Sequence, residues 1–396
     1  MDKKRSTYRY AMSGGAANSY YINDDRKKRK QNRKMILRIL IIVAVVVMIL
    51  SYASFHFFGD KGRVGIGKVT KIAATITQHI APFGNKVLFY DGTSIHCVSA
   101  AGTNEWSYQI GTNADYDAAE DKIVAWSGND LYILNSSGRL IYNNKMSDSI
   151  QFASAGKAYA AAFIGSADTG VVTVIDGDGR VVDNISVESQ TLLDIGFFEA
   201  TAASSTQTTE YMWMLSLDTN GTVITTLLQT FQPGRLSTGK TTLGEYIAYK
   251  IFDTNGILNI VTTREILHYT FRAVENEKST LIYGYTVQDV RKNGNTIYQL
   301  LVPSKEQGGS TISNVRLMYG SIDRMIHLPG NCISALLGNR CVYGFAENAI
   351  YVCKFDETSC TVYPLDMNIT NVLGMISDNR AVVAQGSNIY IIELPS

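Results

Sequence analysis

From about residue 64 onward the chain alternates short apolar runs with Gly, Asn, Asp and Ser turns, a pattern that predicts many short β-strands. The runs recur as a unit. Lys86–Ile110 (KVLFYDGTSIHCVSAAGTNEWSYQI) and Lys122–Met146 (KIVAWSGNDLYILNSSGRLIYNNKM) each read strand, turn, strand, Gly turn, strand, and another apolar stretch precedes each, so the unit has four strands. Second strands are predicted to begin near Lys86, Lys122, Lys157, Tyr211, Ile257, Thr296, Arg340 and Arg380. Their mean spacing of about 42 residues is the length of a β-propeller blade and not of a leucine-rich or helical repeat. The prediction is an all-β fold, a β-propeller of eight four-stranded blades, with seven as the alternative if one diverged central unit is misread.

The last unit supplies only three strands, ITNVLGMISDN, RAVVAQGS and NIYIIEL. A spare β-like segment, Val64–Thr75 (VGIGKVTKIAAT), is free to fill the fourth place, and that pairing closes the ring and removes the open edges that template aggregation.

Ahead of the repeats, Ile39–Phe58 (ILIIVAVVVMILSYASFHFF) carries no formal charge and is long enough, at 1.5 Å rise per residue, to cross a hydrocarbon core about 30 Å thick. Arg26, Lys27, Lys28, Arg29, Lys30, Arg33, Lys34 and Arg38 stand on its amino side, a cluster that stays cytoplasmic. The predicted domains are a disordered basic cytoplasmic tail (1–34), one transmembrane α-helix acting as a signal anchor (35–58) and an extracytoplasmic β-propeller (59–396). The expected location is therefore the cell membrane, single-pass, with the C-terminal domain outside the cytoplasm. A cleaved signal peptide is the competing reading, with Ile39–Leu50 as its apolar region and Ser51-Tyr52-Ala53 as a cleavage site. The apolar stretch continues past that point through Phe55, Phe57 and Phe58, which favours the anchor.

Charge sharpens this division. The whole chain is nearly neutral, Lys+Arg 36 against Asp+Glu 35, yet residues 1–38 hold twelve Lys/Arg against three Asp. The remainder is acidic, which excludes a nucleic-acid-binding body because phosphate contacts need a basic face.

Two turns carry a finer motif. Gly102 is followed four residues later by Trp106, and Gly138 four later by Tyr142. This resembles the pyrroloquinoline-quinone-like propeller repeat, and the resemblance implies that the Gly turn precedes an aromatic that docks on the neighbouring blade. Gly179 is followed by Asp183 and Gly221 by Thr225, so later copies depart from it. The layout of basic tail, single span and Tyr-rich propeller resembles the uncharacterised domain-of-unknown-function 5711 family of clostridial-type Gram-positive bacteria. That likeness implies no catalytic residue and no cofactor.

Catalytic motifs are sparse. The five His (His56, His79, His96, His268, His327) are dispersed, with no HExxH, CxxC, Gly-x-Ser-x-Gly or phosphate loop, so no catalytic, cofactor-binding or metal residue is assigned. Asp176-Gly-Asp178-Gly179, Asp218-Thr-Asn220-Gly221 and Asp253-Thr-Asn255-Gly256 resemble the start of a calcium loop but lack its distal Glu and read as tight turns. Of the five cysteines, four fall in the seventh unit. If Ala346-Glu347-Asn348 is a three-residue turn, Cys341 and Cys353 face each other and are candidates for a disulfide, while free thiols are the favoured state. Glu199–Glu210, Gln232–Glu245 and Ser304–Ser313 exceed ordinary turn length and read as flexible insertions.

A rigid ring with an anchor and no catalytic constellation reads as a binding or scaffold module for a cell-envelope protein or ligand. The alternative is an enzyme, a quinone-dependent oxidoreductase or a wall-glycan hydrolase, with its site at the propeller channel.

Overall fold

The computed structural model describes residues 66–395 except 120, 188, 203–205, 236 and 305–310. The predicted tail and membrane span lie outside the described residues, and among those described no helix is long and apolar enough to cross a membrane.

Every regular element among the described residues is a strand, arranged in six four-stranded sheets and one seven-stranded sheet. In chain order these are the first (80–109), second (114–145), third (150–186), fourth (191–244) and fifth (248–281) sheets, the seven-stranded sheet (285–364) and a closing sheet (371–393). Each is an antiparallel meander. Second strands begin at Lys86, Lys122, Ala160, Thr208, Ile257, Thr296, Cys341 and Arg380, within three residues of the sequence expectation.

The closing sheet takes its fourth strand from the other end of the domain. Val69–Thr75 pairs antiparallel with Asn388–Glu393, from Val69↔Ile392 to Ile72↔Ile389, in the place expected for the spare segment. Within the seven-stranded sheet, the long strand Ile322–Leu337 pairs first with Ile312–Tyr319 and then, from Cys332 on, with Cys341–Ala346. Pro329, which has no N–H for a ladder, falls in the register shift between His327 and Cys332, where the pairing is interrupted.

The core lies between sheets. Ile72, Val87, Val382 and Ile391 join the closing and first sheets, and Leu88, Ile123 and Leu134 join the first and second. Comparable clusters occupy the following junctions. Another, with Leu300, Leu317, Leu337 and Val342, lies between the two halves of the seven-stranded sheet. Middle strands such as Ala160–Ile164 and Cys341–Ala346 are buried on both faces, which is why their sequences run apolar without alternation.

The cysteine pairing differs from expectation. Strands Cys341–Ala346 and Ala349–Lys354 are joined by two residues, so Cys341 pairs with Lys354 and Val342 with Cys353. A slip of one residue moves a side chain to the other face of a sheet. Cys341 accordingly packs toward the closing sheet and Cys353 toward the other half of its own sheet. Cys353 is instead bonded to Cys360, and Cys97, Cys332 and Cys341 are buried free thiols, so uniformly free cysteines are also corrected. The bridge closes a separation of seven residues, for which loop entropy gives roughly 2.5 kcal/mol of stabilisation. Cys360→Ala should lower the melting midpoint accordingly. Thiol titration of the denatured, unreduced protein should count three groups; a count of five would contradict the bridge.

Two predicted insertions also change character. Ser237–Gly244, inside Gln232–Glu245, is the outer strand of the fourth sheet and pairs with Thr225–Phe231. The Glu199–Glu210 segment extends a hairpin whose pairing reaches Thr201↔Thr208. Both are Thr-rich, and β-branched Thr suits a pleated strand although its polarity reads as loop. Residues 305–310 of the third segment lie outside the described residues, and Ile312 already begins the next strand.

Candidate functional site

The meander places the hairpins between strands one and two, and between strands three and four, at the same end of each sheet. Gly138 sits in a three–four hairpin with φ +75°, and an added Cβ there would lie 2.5 Å from the Trp106 ring. The Trp106 indole N–H donates to the Ser136 carbonyl at 3.1 Å. Trp106 therefore lies on the turn of the next sheet. Tyr142 lies likewise against Gly179, 3.1 Å from a Cβ built there, and its buried hydroxyl has no hydrogen-bond partner. At Gly102 the corresponding contact, at 2.5 Å, is Thr70 of the closing sheet.

Where the aromatic is lost, the contact changes chemistry but stays in place. Asp183 Oδ2 accepts from the Gly234 N–H of the next sheet at 2.6 Å. Gly221 lies in a two–three hairpin at the opposite end, so its pairing with Thr225 was misregistered; the equivalent turn carries Gly234 and, four later, Thr238. Thr238 Oγ1 donates to the Phe271 carbonyl at 2.9 Å, beside Ala273, which takes φ +52° where the turns at Gly102, Gly138, Gly179 and Gly234 use glycine.

The acidic turns divide. The Asp176 carboxylate accepts from the N–H groups of Asp178 and Arg180, and Asp218 from that of Asn220, so both serve their own turns. Asp253 instead lines a cavity. Among the described residues no group of three or more His, Cys, Asp or Glu is placed to hold a metal ion.

The cavity measures about 970 Å³ and is walled by the first strands of five successive sheets: Ala114–Ala119, Ile150–Ala155, Thr191–Thr201, Ala248–Thr254 and Tyr285–Asn293. First strands of neighbouring sheets touch one another around most of the ring, which makes this the central channel. Its wall carries Asp117, Asp194 and Asp253 against Lys292, with Phe152 and Phe252 between them. Asp194 sits beside a register shift after Leu192 that interrupts the ladder, the kind of bulge that re-aims a side chain. Asp194 is exposed to the channel, yet desolvation by the surrounding walls pushes its carboxyl up, against a bond from the Ile195 N–H, and the charge of Asp117 adds to the rise. Burial raises Asp253 as well, opposed in part by Lys292. Asp117 accepts from the Ala155 N–H at 2.8 Å and from Ser154 Oγ at 3.2 Å.

Trp213 reaches the same cavity from a second strand because Gly196 leaves room: a Cβ there would lie 2.6 Å from the indole. Trp213 is 7% exposed, and its indole N–H, which opens onto the cavity, makes no hydrogen bond among the described residues. Of these residues the sequence singled out only Asp253, and that as part of a tight turn. Asp194 and Asp253 lie 59 positions apart, and only a blade-by-blade alignment of first strands could have brought them together.

Behind this wall, Glu210 is buried and fixes the one–two hairpin of the third sheet. Its carboxylate accepts from the N–H groups of Lys157 (2.5 Å), Ala158 (2.7 Å) and Tyr159 (3.1 Å). Burial still raises its pKa, against those bonds and the charge of Lys122.

Two histidine–carboxylate pairs lie elsewhere. His96 bridges Asp91 (Nε2 to Oδ2, 2.7 Å) and Ser107 (Nδ1 to Oγ, 2.8 Å), the residue set of a nucleophilic triad. The Asn104 amide, however, reaches the Trp106 and Cys97 carbonyls only with its oxygen turned to Ser107. Ser107 then donates to Asn104 and accepts from His96, and a serine whose proton goes elsewhere is not activated by its histidine. The network braces the outer strands of the first sheet.

His79 Nδ1 lies 2.6 Å from Asp115 Oδ1, joining the first and second sheets. That hydrogen bond raises His79 above its ordinary 6.5, against burial, and lowers Asp115 below its ordinary 3.8. The His79 contribution to stability is present below 6.5 and lost as pH rises through its raised value; that of Asp115 is present above 3.8 and lost as pH falls through its lowered value. Both side chains are about half exposed, 46% and 55%, so the pair contributes about 1 kcal/mol at most. The melting difference between wild type and His79→Gln should be widest near pH 5 and close towards pH 9, by about that much; a difference independent of pH would contradict the pairing.

No protein-family model matches the chain, and no curated protein matches it. Solved structures do. The WD40 domain of SCAP from fission yeast aligns over 83% of this chain and 98% of its own at 9% identity, with a TM-score of 0.54. A eukaryotic initiation factor aligns over 79% of this chain and 82% of its own at 10% identity, TM-score 0.50. BamB from Moraxella catarrhalis covers 83% and 99% at 9% identity, TM-score 0.47. The likeness, carried by the first two, is one of fold: the domain is an all-β, WD40-like β-propeller.

Proposed function

We propose that the protein is a membrane-anchored, extracytoplasmic binding module of the cell envelope. Its propeller has eight blades, the seven-stranded sheet counting as two that share Ile322–Leu337. The observation that carries the binding reading is the channel cavity, a concave site on a rigid ring with aromatic walls and a few polar groups facing inward. The basic run before Ile39–Phe58 supports the anchor and its orientation, as does the layout shared with the domain-of-unknown-function 5711 family.

Protease added to intact cells should degrade the propeller and leave an epitope on the amino tail protected. A mature chain beginning at Ser54 would overturn the anchor, and a protected propeller would overturn the location. A second reading draws on Asp194, whose raised pKa suits a general acid, and Asp117, a carboxylate in the same cavity; together they are the residue types of a glycan hydrolase. Release of reducing ends from wall glycan by the full chain, abolished by Asp194→Asn, would favour it over binding.

A further inference from the structure

We infer that the channel cavity is a site for a ligand carrying an alkylammonium group together with a hydrogen-bond acceptor. This rests on the binding-module reading and names its ligand class. Two independent features of the wall converge on it.

The first is charge. Three carboxyl groups, Asp117, Asp194 and Asp253, and one ammonium, Lys292, line the cavity, so acidic groups outnumber basic ones on its wall. Asp117 is partly satisfied by the Ala155 N–H and the Ser154 hydroxyl. The Asp194 side chain accepts one hydrogen bond, from its neighbour Ile195, at 2.9 Å. Asp194 is exposed to the channel and carries that one partner, so it is free to take a cation brought into the channel through a charge-assisted hydrogen bond. Phe152 and Phe252 line the same wall, and an aromatic ring attracts an ammonium over its face.

The second feature is the Trp213 indole N–H. It belongs to a side chain more than nine-tenths buried, opens onto the cavity and donates to nothing among the described residues. An indole N–H is a donor only, so its complement is an acceptor on the ligand. A free carbonyl-bearing amine and a lysine residue of a partner chain share this chemistry. A simple diamine has the charge without the acceptor.

Calorimetric titration of the full chain in detergent micelles tests the inference with four probes: Nα-acetyl-lysine methylamide, its neutral norleucine counterpart, the glutamate counterpart and cadaverine. The lysine probe should bind saturably and at least about tenfold more tightly than the norleucine and glutamate probes, with cadaverine between. In Asp194→Asn and Asp253→Asn proteins that keep the wild-type melting transition, lysine-probe affinity should fall by about tenfold. Trp213→Phe should weaken the lysine probe and leave cadaverine unchanged, a contrast that loss of folding cannot produce. A lysine-containing peptide binding more tightly than the blocked amino acid would identify a partner chain as the source, and equal affinity a free amine. Equal binding of the norleucine or glutamate probe would overturn the ligand class while leaving a binding cavity; saturable binding of none of the four would overturn both.

Discussion

Deleting residues 1–76 is expected to abolish cooperative unfolding of the propeller or to lower its midpoint steeply, with aggregation, whereas deleting residues 1–63 should leave a soluble, cooperatively melting domain. The segment between the two cuts is the strand that closes the ring. Val69–Thr75 pairs with Asn388–Glu393, and backbone bonds from Gly67 to Glu393, from Glu393 to Lys68 and from Ile76 to Ser387 extend the pairing beyond the strand ends. Ile72 and Ala74 are buried against Val87, Val382 and Ile391. At about 1.5–3 kcal/mol for a buried Ile and about 1 kcal/mol for each ladder bond, the strand contributes at least about 5 kcal/mol. That is comparable to the roughly 5–15 kcal/mol by which a whole domain is stable. Its loss also bares the Asn388–Glu393 edge, an unpaired strand that invites other chains. Scanning calorimetry and light scattering on the two truncations decide the matter; equal midpoints and equal solubility would remove the closing strand from the account.

Gly138→Ala should cost about 2–4 kcal/mol. Part of that is backbone, since φ +75° disfavours any residue with a Cβ by about 1–2 kcal/mol. The rest is contact, because the new methyl falls 2.5 Å from the Trp106 ring and must displace it from its bond to Ser136. Gly84→Ala supplies the control: φ is +54° there and nothing lies within 4 Å of the added carbon, so only the backbone cost should appear. Trp106→Ala should itself cost about 3 kcal/mol, at the low end for a large aromatic because the side chain is partly exposed. In the Trp106→Ala background, Gly138→Ala should then cost no more than Gly84→Ala. A double-mutant cycle by denaturant unfolding reads the coupling; strict additivity would show that Trp106 does not hold the two blades together.

Much of this architecture was legible because a repeating meander writes its period into the sequence. Glycine turns and apolar second strands recur at blade length, so the second strands were placed closely and Val64–Thr75 could be matched to an empty fourth place. The four-residue spacing after Gly102 singled out Trp106, though not the Gly138 turn its ring lies against. Asp183 and Thr238 were not legible, because a carboxylate and a hydroxyl bonding to a neighbouring backbone perform the same docking with no shared residue type. The cysteine pairing failed on one residue of turn length, since a hairpin of two residues and one of three send Cys353 to opposite faces. The cavity was beyond reach for a different reason. Asp117, Asp194 and Asp253 come from three separate blades, Trp213 joins them from the second strand of the Asp194 blade, and nothing local marks them as one site until the ring closes.

The central claim, that the channel is where this protein binds, is tested most directly by placing a photo-crosslinking amino acid at Leu193 or at Val181 of the full chain in intact cells. Leu193 is 38% exposed and lines the cavity; Val181 is 47% exposed and begins an outer strand of the third sheet. Illumination should yield a discrete adduct from Leu193, diminished by Asp194→Asn, and none from Val181. Adducts from Val181 alone, or equally from both positions and indifferent to Asp194→Asn, would contradict a channel site.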